Sequence, residues 1–257
     1  MPRKTVIVEK KGNICHVTIN RPEIMNAFNW AVNTGLEKAF EKIRGDSKIR
    51  VVILQGAGEH FSSGADMRLL YEGGTVPSNL QMMKSLSRLI IAMRELPQPI
   101  ICKVRGVAYG VGVNMALAGD FVIAAHDARL CEVFVNIGAI MDGGGQYLLP
   151  RLVGLAKARE LALLGDEISG KQAAEIGLIY KSVPKSKLDR EVNALADRLT
   201  KQPPLAMALI KEGLEGSLDM SIRQMMEWEA SHQPIALQTK DHKDAVKAFL
   251  ISHGKSL

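Results

Sequence analysis

The chain opens on short apolar runs on either side of a turn and then changes to helical spacing. Val6 and Val8 precede a turn-rich stretch at residues 10–13, and apolar positions resume in residues 14–19. This arrangement predicts a β-hairpin. Within residues 30–43 the apolar positions recur every three or four residues, which predicts an amphipathic helix.

Largely apolar runs then alternate with helical patterns. The runs at residues 51–54, 100–104 and 121–124 predict buried strands, and helices are predicted across residues 80–96 and near residues 113–118. Strands that alternate with helices on both sides indicate a buried, largely parallel sheet. The predicted fold class is therefore α/β.

The last third of the chain has a different composition. Beyond residue 151 it is rich in Ala, Leu, Lys and Glu, and strand patterns nearly disappear. Pro203 and Pro204 separate one predicted helix from the next. Residues 205–210 and 225–226 carry more apolar surface than one peripheral helix needs. A helical extension that packs against the core or a second subunit is predicted.

Composition excludes several classes of protein. With 257 residues, 47% of them apolar, the chain can bury one compact domain with an extension. No apolar run approaches the roughly 20 residues of a membrane span, so we expect no membrane association and a cytoplasmic location. The net charge is +6, but the basic residues are scattered, so no nucleic-acid partner is expected. Cys15, Cys102 and Cys131 are widely spaced, which predicts free buried thiols and no metal site.

Two glycine-containing segments, residues 61–66 and 106–112, each follow an apolar strand-like run. Together they can direct two backbone N–H groups at one oxygen, an oxyanion hole that stabilises the charge formed when the carbon beside a carbonyl is deprotonated or attacked. Alternatively, each segment only connects two elements. A dinucleotide fingerprint is excluded, because Met115 stands where its third glycine is needed.

Longer motifs extend over nearly the whole chain. They occupy residues 20–27, 63–67, 106–112 with 118–120, 137–138 with 142–145, 149–154 and 241–249. By these motifs the chain resembles the crotonase, or enoyl-CoA hydratase/isomerase, superfamily.

The resemblance implies a crotonase-like ββα spiral core of four turns at residues 1–195 and a helical trimerisation region at residues 196–257. It implies a homotrimer or homohexamer and an acyl-CoA thioester as substrate, with CoA part of the substrate and no separate cofactor. The implied oxyanion donors are the N–H groups of Ala65 and Val111. Val111 precedes a helix-like run, whose first N–H groups are unpaired and favour an anion.

Two positions depart from the family's hydratases. Those enzymes use one glutamate three residues after the second oxyanion donor and another four residues before the glycine matched to Gly138. Here the positions hold Asn114 and Phe134, and neither side chain can act as a general base. Glu132 lies two residues before Phe134 and would share its face in a strand. We nevertheless prefer another carboxylate.

That carboxylate is Asp142. In isomerases of this superfamily an acid at or near this place moves the proton, and one carboxylate suffices to shift a double bond. An apolar Phe134 would raise the pKa of Asp142, and Asn114 would orient the acyl chain or a water. The alternative is that Asp142 only caps the helix beginning near Gly144.

The sequence therefore predicts an enoyl-CoA isomerase with Asp142 as acid/base. The alternatives are a hydratase with an atypical site and a non-catalytic acyl-CoA-binding homologue. The predicted substrate-binding residues, implied by the resemblance, are Met25, Ala27, Ser63, Asp66, Met67, Arg68, Gly110, Asn114, Phe134 and Phe249.

Overall fold

The computed structural model describes residues 4–253, which form two compact units that divide between Thr200 and Lys201. The strands of the first unit are β1 (Val6–Lys11), β2 (Ile14–Ile19), β3 (Val51–Gly56), β4 (Ile100–Val104), β5 (Val107–Tyr109), β6 (Phe121–Ala125), β7 (Arg129–Cys131), β8 (Ile168–Ser169) and β9 (Lys181–Val183). Its α-helices are α1 (Trp30–Arg44), α2 (Met67–Glu72), α3 (Val76–Arg94), α4 (Val111–Leu117), α5 (Gly145–Leu164), α6 (Gly170–Glu175) and α7 (Leu188–Thr200). Short 3₁₀ helices occupy Pro22–Ile24, Val133–Ile137 and Lys185–Lys187.

The main sheet has six strands in the order β1-β2-β3-β4-β6-β9. β1 and β2 are antiparallel and form the predicted hairpin, whereas the other neighbouring strands are parallel. The apolar run of β3 is buried at four successive residues, as expected for a strand covered on both faces. The prediction of a largely parallel sheet is confirmed.

A second, smaller layer alternates with the main sheet along the chain. β5, β7 and β8 form a three-stranded sheet, and single bridges join Phe28 to Ala65 and Ser62 to Ala108. After each of β2, β3, β4 and β6 the chain makes a short pairing outside the main sheet and then enters α1, α2 with α3, α4 or α5. This is the ββα spiral that the resemblance implies. It brings the segments that follow β3 and β4 side by side.

The sequence patterns do not predict β8 and β9. β8 has two residues and β9 has three, too few to show an alternating pattern. Pairing partners define both strands: β8 is antiparallel to β7, and β9 extends the main sheet beside β6. α5 is interrupted at Gly154, whose φ of 73° and ψ of 161° are not helical.

The core of the first unit makes a prediction about stability. Val17→Ala is expected to lower the free energy of unfolding by about 2 kcal/mol, because Val17 is fully buried and the truncation leaves a cavity. Val8 lies directly opposite on β1 but is 50% exposed, so Val8→Ala should cost less than about 1 kcal/mol. Equilibrium urea denaturation measures both losses. Equal losses would contradict this description of the hairpin.

The described part of the second unit is helical. Its helices are α8 (Pro204–Gly216), α9 (Ile222–Leu237) and α10 (Lys240–Ser252). Pro204 is the first residue of α8, so the proline pair separates α7 from α8 as predicted. Gly213 of α8 lies against Trp228 of α9, where a Cβ would be 2.8 Å from the ring. A groove of about 540 Å³ lies between these helices, and Ile210 and Leu214 beside it are exposed.

Cys15, Cys102 and Cys131 are free and buried, as predicted. Within residues 4–253 no cluster of three or more His, Cys, Asp or Glu side chains is arranged to hold a metal ion. Over the same residues, no helix combines the length and apolar character needed to cross a membrane.

Candidate active site

The two glycine-containing segments lie next to each other. Tyr109 N–H donates to Ser62 O at 3.0 Å, and Ser62 N–H donates to Val107 O at 3.1 Å. Gly64 approaches so closely that a Cβ there would lie 2.6 Å from Tyr109 O. Gly112 is similarly close to Ser62, with 2.8 Å from its hypothetical Cβ to Ser62 O. The structure thus brings together the segments that the sequence pairs.

Ala65 presents a free backbone donor. In its parallel bridge, Phe28 N–H donates to Gly64 O at 2.7 Å and Asp66 N–H donates to Phe28 O at 2.9 Å. Because a parallel bridge uses the groups on either side of the bridged residue, the N–H of Ala65 points away from Phe28. It donates no hydrogen bond to a described residue.

Val111 presents the second donor. It is the first residue of α4, where a helix leaves its N–H groups without partners. The preceding Gly110 has φ of 52° and ψ of −124° and supplies no side-chain cap. Paired N–H donors of this kind can stabilise an oxyanion.

Asp142 lies in the loop before α5, against the start of α4. A Cβ on the neighbouring Gly143 would lie 3.2 Å from Asn114 Cβ and 3.3 Å from Val111 Cγ2. Burial raises the pKa of Asp142 from 3.8 to about 6, because desolvation disfavours the carboxylate. Its Oδ1 atom is buried and accepts no hydrogen bond from a described residue.

The side chain of Asp142 does not cap α5. The cap residue is Gly144, which receives no help from a side chain, and Gly145 N–H donates to the main-chain O of Asp142 at 3.0 Å. The geometry therefore excludes the alternative that the Asp142 side chain only caps this helix. A buried carboxyl group with a raised pKa and an unpaired oxygen is suited to proton transfer near neutral pH.

Glu132 is a second acid in the same place. Asn114 Nδ2 donates to Glu132 Oε2 at 3.3 Å and to the main-chain O of Asp142 at 2.9 Å. Glu132 is only 5% exposed, and burial raises its pKa to about 7, with a further contribution from the charge of Asp142. Glu132 therefore lies beside both Asn114 and the Asp142 loop, a placement that depends on three-dimensional contacts. An acid within the apolar run of residues 130–135 was the available indication.

The strand-based argument about Glu132 and Phe134 is wrong. β7 ends at Cys131, and Phe134 lies in the 3₁₀ helix Val133–Ile137, so the two-residue periodicity of a strand does not apply. Phe134 is buried, and its Cζ atom would lie 3.5 Å from a Cβ on Gly110. The apolar ring therefore packs beside the residue that precedes Val111.

The loop at residues 20–27, which carries the predicted substrate-binding residues Met25 and Ala27, joins the segment at residues 61–66. Ser63 N–H donates to Met25 O at 2.9 Å, and Arg21 Nη1 donates to Ala27 O at 2.8 Å. Arg21 also forms a salt bridge of 3.0 Å with Asp66. Met25, Ala27, Ser63 and Asp66 are thus brought together.

The other predicted binding residues lie on helices. Asp66 caps α2, with Oδ1 accepting from Arg68 N–H at 3.3 Å. Met67 and Arg68 are exposed in the first turn of that helix. Phe249 lies in α10 of the second unit, where its ring stacks on His253 at 4.1 Å between centroids.

The fold and the site define an α/β spiral protein with two backbone donors beside buried acids. The family model described as enoyl-CoA hydratase/isomerase matches residues 9–253. The chain belongs to this family, as the resemblance predicts, and is an acyl-CoA-processing enzyme.

Curated and solved relatives agree over nearly the full length. The chain is 36% identical to a 1,2-epoxyphenylacetyl-CoA isomerase of Escherichia coli, covering 94% of this chain and 93% of that protein. It is 34% identical to a probable enoyl-CoA hydratase of Rhodobacter capsulatus, with coverages of 97% and 96%. The crystal structure of an enoyl-CoA hydratase from Bacillus anthracis superposes with a TM-score of 0.92 at 29% identity, covering 96% of each chain.

Proposed function

We propose that the enzyme shifts the double bond of an enoyl-CoA thioester, with Asp142 as the acid/base. The observation that carries this proposal is the half-buried Asp142 beside the start of α4, whose Oδ1 atom is buried and accepts no hydrogen bond from a described residue, and whose pKa is raised to about 6. Isomerisation needs one group that takes a proton at one carbon and returns it at another.

The proposed reaction conserves atoms and protons. The Asp142 carboxylate removes a proton from the carbon between the thioester carbonyl and the double bond of a 3-enoyl-CoA. The N–H groups of Ala65 and Val111 stabilise the negative oxygen of the resulting dienolate. Protonated Asp142 then returns the proton two carbons further along the chain, which gives the 2-enoyl-CoA. No cofactor or metal takes part in this scheme.

The predicted substrate-binding residues are part of the same proposal. Phe134 and Asn114 line the reacting end, where the phenyl ring excludes water and the amide orients the acyl group. Met25, Ala27 and Ser63 surround the thioester and the adjoining part of CoA. The remaining proposed contacts are Asp66, Met67, Arg68, Gly110 and Phe249.

We also propose a cytoplasmic homotrimer or homohexamer assembled through residues 196–257. The support is the exposed apolar surface of this region, which includes Ile210, Leu214, Ile222 and Met226. Exposed apolar side chains in this number favour association.

A hydratase with an atypical site is the second candidate, and Glu132 favours it, because hydration in this family uses two acids. The test is to incubate the purified protein separately with a 3-enoyl-CoA and a 2-enoyl-CoA and to analyse the products by mass spectrometry and NMR. Isomerisation moves the double bond without changing the mass, whereas hydration adds one water. Binding of CoA with neither product would support a non-catalytic homologue.

The pKa of Asp142 predicts the acid limb of the pH profile. The base must be ionised, so kcat/KM is expected to rise with pH through about 6 and to be roughly tenfold lower at pH 5 than at its maximum above pH 6. Initial rates with the 3-enoyl-CoA across this range measure the limb. A flat profile between pH 5 and 7 would contradict Asp142 as the base.

A further inference from the structure

Glu132 is enclosed by groups that cannot neutralise its charge. Asn114 of α4 donates to it, and Asp142 faces it from the loop before α5. On its other side, Cys131 of β7 and Asp166, which follows α5, line a cavity of about 10 Å³ with it. A cavity of this size is at the lower limit for one water molecule, roughly 10–15 Å³. None of the described residues that line this cavity or interact with Glu132 is basic.

The Asn114 amide links Glu132 to the Asp142 loop and has little freedom to move. Asn114 is fully buried, and its Nδ2 atom serves both Glu132 Oε2 and the main-chain O of Asp142. A Cβ on Gly145 would lie 2.4 Å from Nδ2, and a Cβ on Gly143 would lie 3.2 Å from Asn114 Cβ. A change in the position or charge of Glu132 is therefore transmitted through Asn114 to the loop that carries Asp142.

We propose that Glu132 is a positioning residue of the active site, which holds the Asn114 amide against the Asp142 loop and whose loss of a proton turns the reaction off. The part of this proposal that concerns rate rests on the proposed isomerase function. The part that concerns coupled ionisation does not.

The order of ionisation follows from the two environments. Burial raises the pKa of Glu132, and the charge of ionised Asp142 raises it further, so the two carboxyl groups titrate as a pair. Asp142 loses its proton first, and the active state holds one negative charge with Glu132 neutral. Ionisation of Glu132 adds a second negative charge beside the base and the developing enolate. Like charges this close oppose each other in a buried site, so the reaction slows.

E132Q separates this role from a structural one, because glutamine keeps an acceptor oxygen and the neutral state but cannot ionise. Wild-type kcat/KM is expected to fall at least about tenfold from its maximum by pH 8.5. In E132Q it should stay within about twofold of its maximum at that pH. Glu175→Gln, at an exposed position, should show the wild-type profile.

Two kinetic outcomes would overturn the proposal. If E132Q kept the alkaline fall, another group would be responsible for it. If E132Q lost activity equally at every pH, Glu132 would itself transfer the proton or would only support the fold.

Carboxyl ¹³C NMR of protein labelled in Asp and Glu side chains tests the coupling without any substrate. The Asp142 resonance, assigned by its loss in D142N, should titrate in two steps in the wild type and in one step in E132Q. A single step in the wild type would overturn the coupling. Two-step titration in a protein without isomerase activity would uphold the coupling and disprove the proposed function instead.

Discussion

D142N is expected to lower kcat for double-bond migration by about 10²- to 10⁴-fold, the usual contribution of a general base. Asparagine has nearly the shape of the protonated acid but cannot take a proton from carbon. The D142N substitution leaves the two backbone donors in place, so the affinity for the acyl-CoA should change little. Steady-state kinetics and calorimetric titration with a saturated acyl-CoA measure the two quantities.

D142N lowers kcat but should not lower the stability of the fold. The pKa of Asp142 is higher in the folded protein than its ordinary value of 3.8, so the folded state binds more protons between about pH 4 and 6. Stability therefore falls across this window as the pH rises. D142N avoids the buried charge and should be at least as stable as the wild type at pH 7.5. If Asp142 served only to support the fold, D142N would be less stable than the wild type at pH 7.5.

Asp127→Asn is the matched control, since Asp127 is exposed in the turn between β6 and β7. It should keep wild-type kcat. Full activity of D142N would disprove Asp142 as the base. Glu132, which accepts a hydrogen bond from Asn114, would then be the residue to test next.

The sequence predicts the parts of this fold that carry their own pattern. β3 begins with four successive apolar residues, β4 is apolar except at Lys103, and α1 has its apolar residues on one face, so each is defined without knowledge of its neighbours. β8 and β9 are defined by the strands that they pair with, and such pairings are not visible in a local pattern.

The candidate site divides in the same way. Asp142 and the two donor segments occur in long motifs and are predicted from them. The position of Glu132 depends on the 3₁₀ turn that follows β7 and on the packing of Gly143 and Gly145 around Asn114. Burial and pKa follow from those three-dimensional contacts, so the sequence could name both acids but could not rank them.

Gly64→Ala is expected to lower kcat by about 10²- to 10³-fold, close to the effect of removing one oxyanion donor. The added Cβ would lie 2.6 Å from Tyr109 O, a main-chain atom that cannot move without its strand. Tyr109 is two residues before Val111, and Gly64 precedes Ala65. Forcing the two segments apart therefore separates the donors that must act on one oxygen.

The substitution also has a backbone cost, because Gly64 has φ of +88°, where other residues are strained by roughly 1–3 kcal/mol. Gly177→Ala provides the control: its φ is +75°, and its Cβ would have no neighbour within 4 Å. Both variants should lose stability in thermal denaturation, but only Gly64→Ala should lose kcat. Equal activity of the two would show that the distance between these segments does not control the reaction. A selective loss with Asp142 intact would mean that stabilisation of the oxyanion and proton transfer are separate requirements of one site.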